Sequence, residues 1–209
     1  MSNASVVALD LSSLAWANQD AAWLAQSLFS SAQSDSSHVI EVAGVAPEVG
    51  TSTVTAALSR YIAENFNESV CVVEVKPAGS NGSGSIYKID QKNSSAASGR
   101  EQKFVSFLSV KLGGGTNSEN LERVAEVVNS LRNSYRFVFL DVPALSSSGD
   151  GVALGRISDG TILVLEADKT RRHVARRLVA SLRASSISIL GVVLNKRKFP
   201  IPASIYQRL

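Results

Sequence analysis

The sequence predicts a single α/β domain, a mostly parallel sheet covered by helices on both faces. Three observations carry this. The 209 residues are 44% hydrophobic, enough chain for one sizeable core and too little for two. Short β-branched runs alternate with helical patterns along the chain. Strands of that kind, apolar on both faces, belong to parallel sheets buried between helix layers.

The elements come in this order. Residues 1–13 read as weakly ordered. From Ser13 to about Gln33 the residues Leu14, Trp16, Ala17, Ala21, Trp23, Leu24, Leu28 and Phe29 recur at helical spacing. Both tryptophans lie here, either packing this helix on its own domain or offering an association face. A Ser-rich run, 30–37, comes next. This predicts an N-terminal helix with a Ser-rich linker over 1–37 and the main domain over 38–209. His38–Ala43 reads as a strand, 44–50 as a loop with Gly44, Pro47 and Gly50, and Ser52–Asn65 as a helix. Val70–Val75 is a second strand. Residues 76–99, with Pro77, four glycines and many serines, read as a long flexible surface segment. Phe104–Val110 fits a strand or a short helix, and 112–115 ends in a triple-glycine turn. A helix is predicted over Glu119–Leu131 and strands over Phe137–Val142 and Ile162–Glu166. Arg171–Leu182 reads as a helix and Ile187–Leu194 as a strand. No internal repeat is evident.

Composition narrows the function. The one cysteine, Cys71, excludes an intrachain disulfide framework and a Cys-based zinc site. Two histidines, His38 and His173, argue against a His-rich metal centre and leave no Ser-His-Asp or Cys-His arrangement to propose. No apolar run reaches the ~20 residues of a membrane span. The opening MSNASVVALDLSS lacks the basic region and apolar core of a signal peptide. A cytoplasmic protein is the expectation. The net charge of +3 is unevenly placed: residues 1–59 hold five acids and no Lys or Arg, and 169–209 hold ten Lys or Arg and no acid. That polarity suggests a head-to-tail or acidic-partner contact more than nucleic acid.

Ligands of open α/β sheets sit at the carboxyl ends of the strands. GVAPEVGTST at 44–53 occupies the strand-to-helix position of a phosphate loop, where backbone N–H groups and a helix N-terminus face an anion. Against G-x-x-x-x-G-K-[ST], Gly50, Ser52 and Thr53 fit, but Thr51 stands at the lysine and Val45 at the first glycine, with Gly44 one residue early. Thr51 cannot supply the lysine's charge, and Glu48 would repel phosphate unless turned away. The alternative is a retained turn without a ligand. Asp141, after the apolar run FVFL at the end of its strand, fits a magnesium-holding carboxylate by position, though strands often end in Asp without metal. Glu74 and Lys76 close the neighbouring strand, and an ion pair between them is the preferred reading. On the helix RRHVARRLVASLR at 171–183, Arg172, Arg176 and Arg183 share a side, flanked by Arg171 and Arg177. They form either a solvated face or a surface for an acidic partner or anionic headgroups. No aromatic platform interleaves them, which disfavours nucleic acid.

Taken together, the loop at 44–53, VCVVEVKP at 70–77, KLGGG at 111–115, YRFVFLDVPA at 135–144, DGTILVLEADKTRRHVARRLVASL at 159–182 and ILGVVLNKRKFPIPASIYQRL at 189–209 resemble a known family. It is the bacterial tyrosine kinase family, the cytoplasmic ATPase-like component of capsular and exopolysaccharide biosynthesis, within the deviant-Walker class that includes the ParA/MinD ATPases. The likeness covers about 38–209 and implies a P-loop NTPase-like, ParA/MinD-type fold. The family loop P-G-E-G-K-S-T aligns with Pro47 to Thr53, so Glu48 replaces a glycine and Thr51 the catalytic lysine. The family's D-x-D aligns with Glu74, Val75 and Lys76, reversing one charge. Asp141 matches the Walker B aspartate. Active members carry a tyrosine-rich tail, whereas this chain has Tyr206 alone near its end.

The resemblance therefore implies a degenerate, non-catalytic relative: a pseudo-ATPase or pseudokinase that scaffolds or regulates polysaccharide assembly and export. Its partner would be an inner-membrane copolymerase or chain-length protein, with homo- or hetero-oligomers of related ATPase domains. It would be cytoplasmic and peripheral to the membrane through that partner. No cofactor is expected beyond residual ATP or ADP with Mg, and Ser52 and Asp141 would hold any metal. The expected partner surface comprises Trp16, Trp23, Arg172, Arg176 and Arg183. One alternative is an atypical active ATPase or tyrosine kinase using another cation, such as Lys76 or a neighbouring subunit's arginine. Another is a ParA/MinD-like positioning protein that binds membrane or DNA through the basic helix.

Overall fold

A computed structural model describes residues 5–8, 14–31, 36–77, 85–92, 105–113, 117–147 and 149–197, of which 5–8, 14–21, 31, 85–92 and 117 are described as backbone alone. Its elements are β1 (Ser5–Ala8), α1 (Leu14–Ser31), β2 (His38–Gly44), α2 (Thr51–Asn65), β3 (Val70–Lys76), β4 (Ser85–Lys92) and β5 (Val105–Lys111). They continue with α3 (Asn117–Arg132), β6 (Phe137–Val142), α4 (Asp150–Gly155), β7 (Gly160–Glu166), α5 (Arg172–Ala184) and β8 (Ile189–Asn195).

These strands form one sheet in the order β1-β8-β7-β2-β6-β3-β5-β4. Every pairing is parallel except β4 with β5. The central strands are buried on both faces: all six residues of β6 are buried. Alternate side chains feed two cores, as the two-residue period of a strand requires. On one face, Ile40, Val72, Phe137, Phe139 and Ile162 meet Leu24, Ala25 and Leu28 of α1 and Val54, Leu58 and Ile62 of α2. On the other, Val39, Val73, Val138, Leu140 and Leu163 meet Val124 and Val128 of α3, Leu154 of α4 and Leu182 of α5. The predicted parallel sheet with helices on both faces is what forms.

Two local expectations are corrected, and one open alternative is resolved. Within the stretch read as weakly ordered, Ser5–Ala8 is an edge strand, in register with Gly191–Leu194 of β8. Within the 76–99 segment read as flexible, Ser85–Lys92 is an edge strand running antiparallel to β5. Its run SIYKIDQK mixes charge with alternating apolar residues, as edge strands do to discourage further pairing. Residues 105–111 resolve as strand, not helix. The short helix α4 was not foreseen; DGVALG is six residues with two glycines, too short to show a period.

The helix α1 packs on α2. Leu24, Ala25 and Leu28 are buried, and the Phe29 ring stacks on Phe66 at a centroid distance of 4.6 Å. Trp23 lies on the opposite side and is 53% exposed. Trp16 falls on α1 where side chains are outside the described residues, and Tyr206 is outside them as well. Among the described residues, no helix is long and apolar enough to cross a membrane.

At the amino end of the sheet, Arg132 grips Asp159 through two hydrogen bonds of 3.0 and 2.9 Å, and Asp159 also accepts from the Val39 amide at 2.7 Å. Burial works against the Asp159 charge, yet these donors hold its carboxyl below the usual range. At the end of β5, Asn120 of α3 both accepts from the Gly113 amide and donates to its carbonyl. This fixes the start of the glycine turn, whose residues 114–116 are outside the described set.

Candidate functional site

The loop between β2 and α2 lies at the carboxyl end of the two central strands, where open α/β sheets bind ligands. Its shape is set by two left-handed residues. Gly50 has φ +91°, and Glu48 has φ +60°. Glu48 thus adopts a conformation that glycine takes freely and other residues at a cost of roughly 1–2 kcal/mol. It is the position where resembling loops carry glycine, so the turn has outlived the residue that suits it. Glu48 is exposed. A Cβ on Gly44 would come within 2.6 Å of the Thr51 hydroxyl and 2.7 Å of a Val49 methyl. The Thr51 side chain is therefore folded back on the loop, and neither its reach nor its chemistry replaces a lysine.

Beyond the loop's own residues, the last residue of β8 and its successor hold the turn from behind. Asn195 is 3% exposed, and its amide donates to the Val49 carbonyl at 2.9 Å. The same amide nitrogen would lie 2.2 Å from a Cβ on Gly50, so only glycine fits there. Lys196 donates to the Glu48 carbonyl and lies 3.5 Å from Glu166, which also pairs with Lys169 at 2.7 Å. The Lys169 hydrogen bond, then the charges of both lysines, keeps the Glu166 carboxyl below its ordinary range. Sequence reasoning missed Asn195 and Lys196. The available signal was their place, at the carboxyl end of a predicted strand.

The second half of the site comes from β3 and β6. Asp141 is 8% exposed and lies near the Ser52 hydroxyl in the first turn of α2. Burial raises its pKa, the nearby Ser52 hydroxyl opposes that rise, and the charge of Glu74 adds to it. Glu74 sits in register with Asp141 on the adjacent strand. Lys76 closes on Glu74 at 3.2 Å. The expected ion pair thus forms. The structure brings together Glu48, Gly50, Thr51, Ser52, Thr53, Glu74, Lys76 and Asp141 at one end of the sheet, with Thr53 exposed in the first turn of α2. Arg172, Arg176 and Arg183 lie elsewhere, on α5.

Set against a magnesium nucleotide, these residues fit in part. Ser52 and Asp141, the serine and aspartate that would hold a metal, lie near each other. The loop itself carries no cation to neutralise transferred phosphate, Lys76 is paired with Glu74, and Lys196 is engaged by the Glu48 carbonyl and Glu166. Among the described residues, no group of three or more His, Cys, Asp and Glu side chains could itself hold a metal.

Comparison with known proteins agrees with this geometry. No protein-family model matches the chain. In sequence it is 29% identical over 84 residues to CapB of Staphylococcus aureus, named as a tyrosine-protein kinase, covering 40% of this chain and 37% of that protein. It is 29% identical over 65 residues to the tyrosine-protein kinase YwqD of Bacillus subtilis, covering 31% of this chain and 27% of that protein. Its relatives are bacterial tyrosine kinases. The chain is also similar to the succinoglycan biosynthesis transport protein ExoP of Rhizobium meliloti, 32% identical over 73 residues, 35% of this chain and 9% of that protein. The matched stretches therefore span well under half of each curated relative.

The fold agrees over a longer stretch. The kinase domain of the Escherichia coli tyrosine kinase ETK superposes with a TM-score of 0.65 at 17% identity, covering 90% of this chain and 80% of that one. The chimerical protein CapA2B2 gives 0.67 at 15% identity, covering 93% and 95%. The cell division ATPase MinD of Pyrococcus furiosus gives 0.54 at 16% identity, covering 82% and 78%. The fold is that of bacterial tyrosine kinase domains and MinD-type P-loop ATPases.

Proposed function

We propose that this chain is a non-catalytic member of a bacterial capsule or exopolysaccharide assembly system, a scaffold or regulator with a kinase fold. Its partner is a membrane copolymerase or chain-length protein, and it sits at the cytoplasmic face of the inner membrane through that partner, alone or in oligomers with related ATPase domains. The observation that carries this reading is Thr51 at the lysine position, folded back toward Gly44. Preorganised positive charge is the main instrument of phosphoryl transfer. The loop's own residues offer none, Lys76 is paired with Glu74, and Lys196, which reaches the Glu48 carbonyl, is paired with Glu166.

The test is ATP turnover and tyrosine autophosphorylation of the chain beside Asp141→Asn and Gly50→Ala variants, with circular dichroism to show that each is folded. Equal activity in all three is expected. Turnover well above the variants overturns the proposal.

A second reading, an atypical active enzyme, draws support from the surviving Ser52–Asp141 contact. Calorimetric titration with ATP, with and without magnesium, separates the two. Tight magnesium-dependent binding favours an active enzyme, and weak or magnesium-independent binding favours the scaffold.

A further inference from the structure

On the face opposite α2, the helix α5 covers the outer strands incompletely. Only Leu182 of its thirteen residues is buried. Beside it runs a groove of about 460 Å³. Leu165 of β7, Val192 of β8 and Val179 of α5 line it, all partly open to solvent. Arg172, Arg176 and Arg183 rim it on one side. Between the arginines the helix presents Ala175 and Ala180, small residues that let another backbone come close.

We infer that this groove between α5 and strands β7 and β8 is a docking site for an acidic amphipathic helix of a partner protein. This deepens the scaffold reading, since it names the surface through which such a protein would act and the chemistry of what it takes. The shape is concave and apolar at its floor, with charge confined to the rim. A recognition helix laid in a groove needs that combination. The three arginines succeed each other at four and seven residues, which places them roughly 6 and 10 Å apart along the axis. Carboxylates at the same spacing on a helix lying alongside would meet all three, with an apolar stripe turned to the floor. Arginine's planar fork suits carboxylates in particular. None of the three arginines makes an ion pair among the described residues.

Other occupants fit less well. A membrane-surface helix turns its apolar stripe outward, whereas Leu178 and Leu182 face the sheet. Nucleic acid would call for aromatic platforms on which bases stack, and none interleaves these arginines. A second copy of this chain lacks a matching helix among the described residues. Several of its described acids are engaged: Glu74 with Lys76, Asp159 with Arg132, and Glu166 with Lys169. On α3, Glu122 and Glu126 are exposed, but Val124 and Val128 are turned into the core.

The test uses the full chain and a fluorescent, hydrocarbon-stapled helix about five turns long. It carries a leucine stripe and glutamates at the four- and seven-residue spacing. A second peptide has glutamines at those positions. Anisotropy should show binding of the acidic peptide. Affinity should fall about tenfold or more with the glutamine peptide, and likewise with R172Q, R176Q and R183Q combined. Val179→Trp, which fills the floor without changing charge, should weaken binding as well, and thermal melts check that each variant folds. Equal binding of the two peptides overturns the proposal, as does binding that ignores the arginines, or no binding. Arginine-dependent capture of phosphatidylglycerol vesicles or duplex DNA without the peptide would reassign the surface. Arginine-dependent self-association in sedimentation would reassign it to a second copy. The readout involves no ATP. Measured kinase activity would remove the scaffold reading and leave the groove standing, and a failed peptide titration would do the reverse.

Discussion

The two faces of the sheet are built differently. The α1/α2 face is aromatic and doubly covered. Phe137 and Phe139 lie 6.4 Å apart in near-parallel planes, Phe29 stacks on Phe66, and α1 lies across α2. The α3/α4/α5 face is filled with Val, Leu and Ile, and no phenylalanine is among its described buried residues. It also holds a carboxyl group: Glu41, fully buried in the middle of β2. Thr161 donates to one of its oxygens at 2.5 Å. Its other oxygen has no hydrogen-bond partner among the described residues. The same face leaves the groove beside α5 open. One face concentrates apolar burial, and the other carries polar cost and free surface.

The largest expected effect tests that contrast. Phe137→Ala on the aromatic face should cost about 3–5 kcal/mol, as deletion of a buried aromatic does. Val138→Ala, its neighbour facing the other core, removes two methyl groups and should cost about 2 kcal/mol. Urea unfolding of both variants measures the gap, and equal losses would erase the distinction between the faces.

Next comes the pH dependence of the second face. Burial pushes the Glu41 carboxyl up from 4.5 to about 8, with the Thr161 hydrogen bond opposing. Below the unfolded value both states hold the proton and the group costs nothing. Between pH 4.5 and 8 the unfolded chain releases its proton while the folded chain keeps it, so stability falls as pH rises. Above that window the loss levels off. It amounts to roughly 2–5 kcal/mol. Glu41→Gln keeps the acceptor for Thr161 and cannot ionise. It should match the parent near pH 4 and exceed it near pH 9, and denaturant midpoints across that range check the crossing.

The smallest effect lies where both faces end, in the loop. Glu48→Gly should raise stability by about 1 kcal/mol by relieving the left-handed backbone at φ +60°. A loss would show that the Glu48 side chain holds the turn more firmly than its backbone strains it.

These contrasts were unevenly legible in the sequence. Phe137–Val142 could be read residue for residue, because an unbroken apolar run ending in Asp, fenced by polar stretches, has few other uses. The loop at 44–53 and its missing lysine were equally plain. In the sequence Glu41 is one of five acids in the first 59 residues, and nothing local sets it apart, although it stands inside HVIEVAG, where a strand buried on both faces leaves a carboxylate no water. Ser5–Ala8 could not be read, since four residues carry no period and their partners are far along the chain. The grip of Asn195 and Lys196 on the loop is a contact between distant segments: local pattern places both at the carboxyl end of a strand but does not show which loop they meet.

The pairing of Ser5–Ala8 with Gly191–Leu194 has a kinetic consequence. It is the longest-range strand contact in the sheet, and closing a loop of that length must precede any reward from the pairing. The rest of the sheet, from β2 to β8, is built from shorter closures and can assemble first. Until β1 arrives, β8 is a bare parallel edge with its backbone groups unpaired, the kind of edge that recruits strands from other molecules. The interval between folding of the main sheet and capture of its first strand is therefore when this protein is most exposed to aggregation.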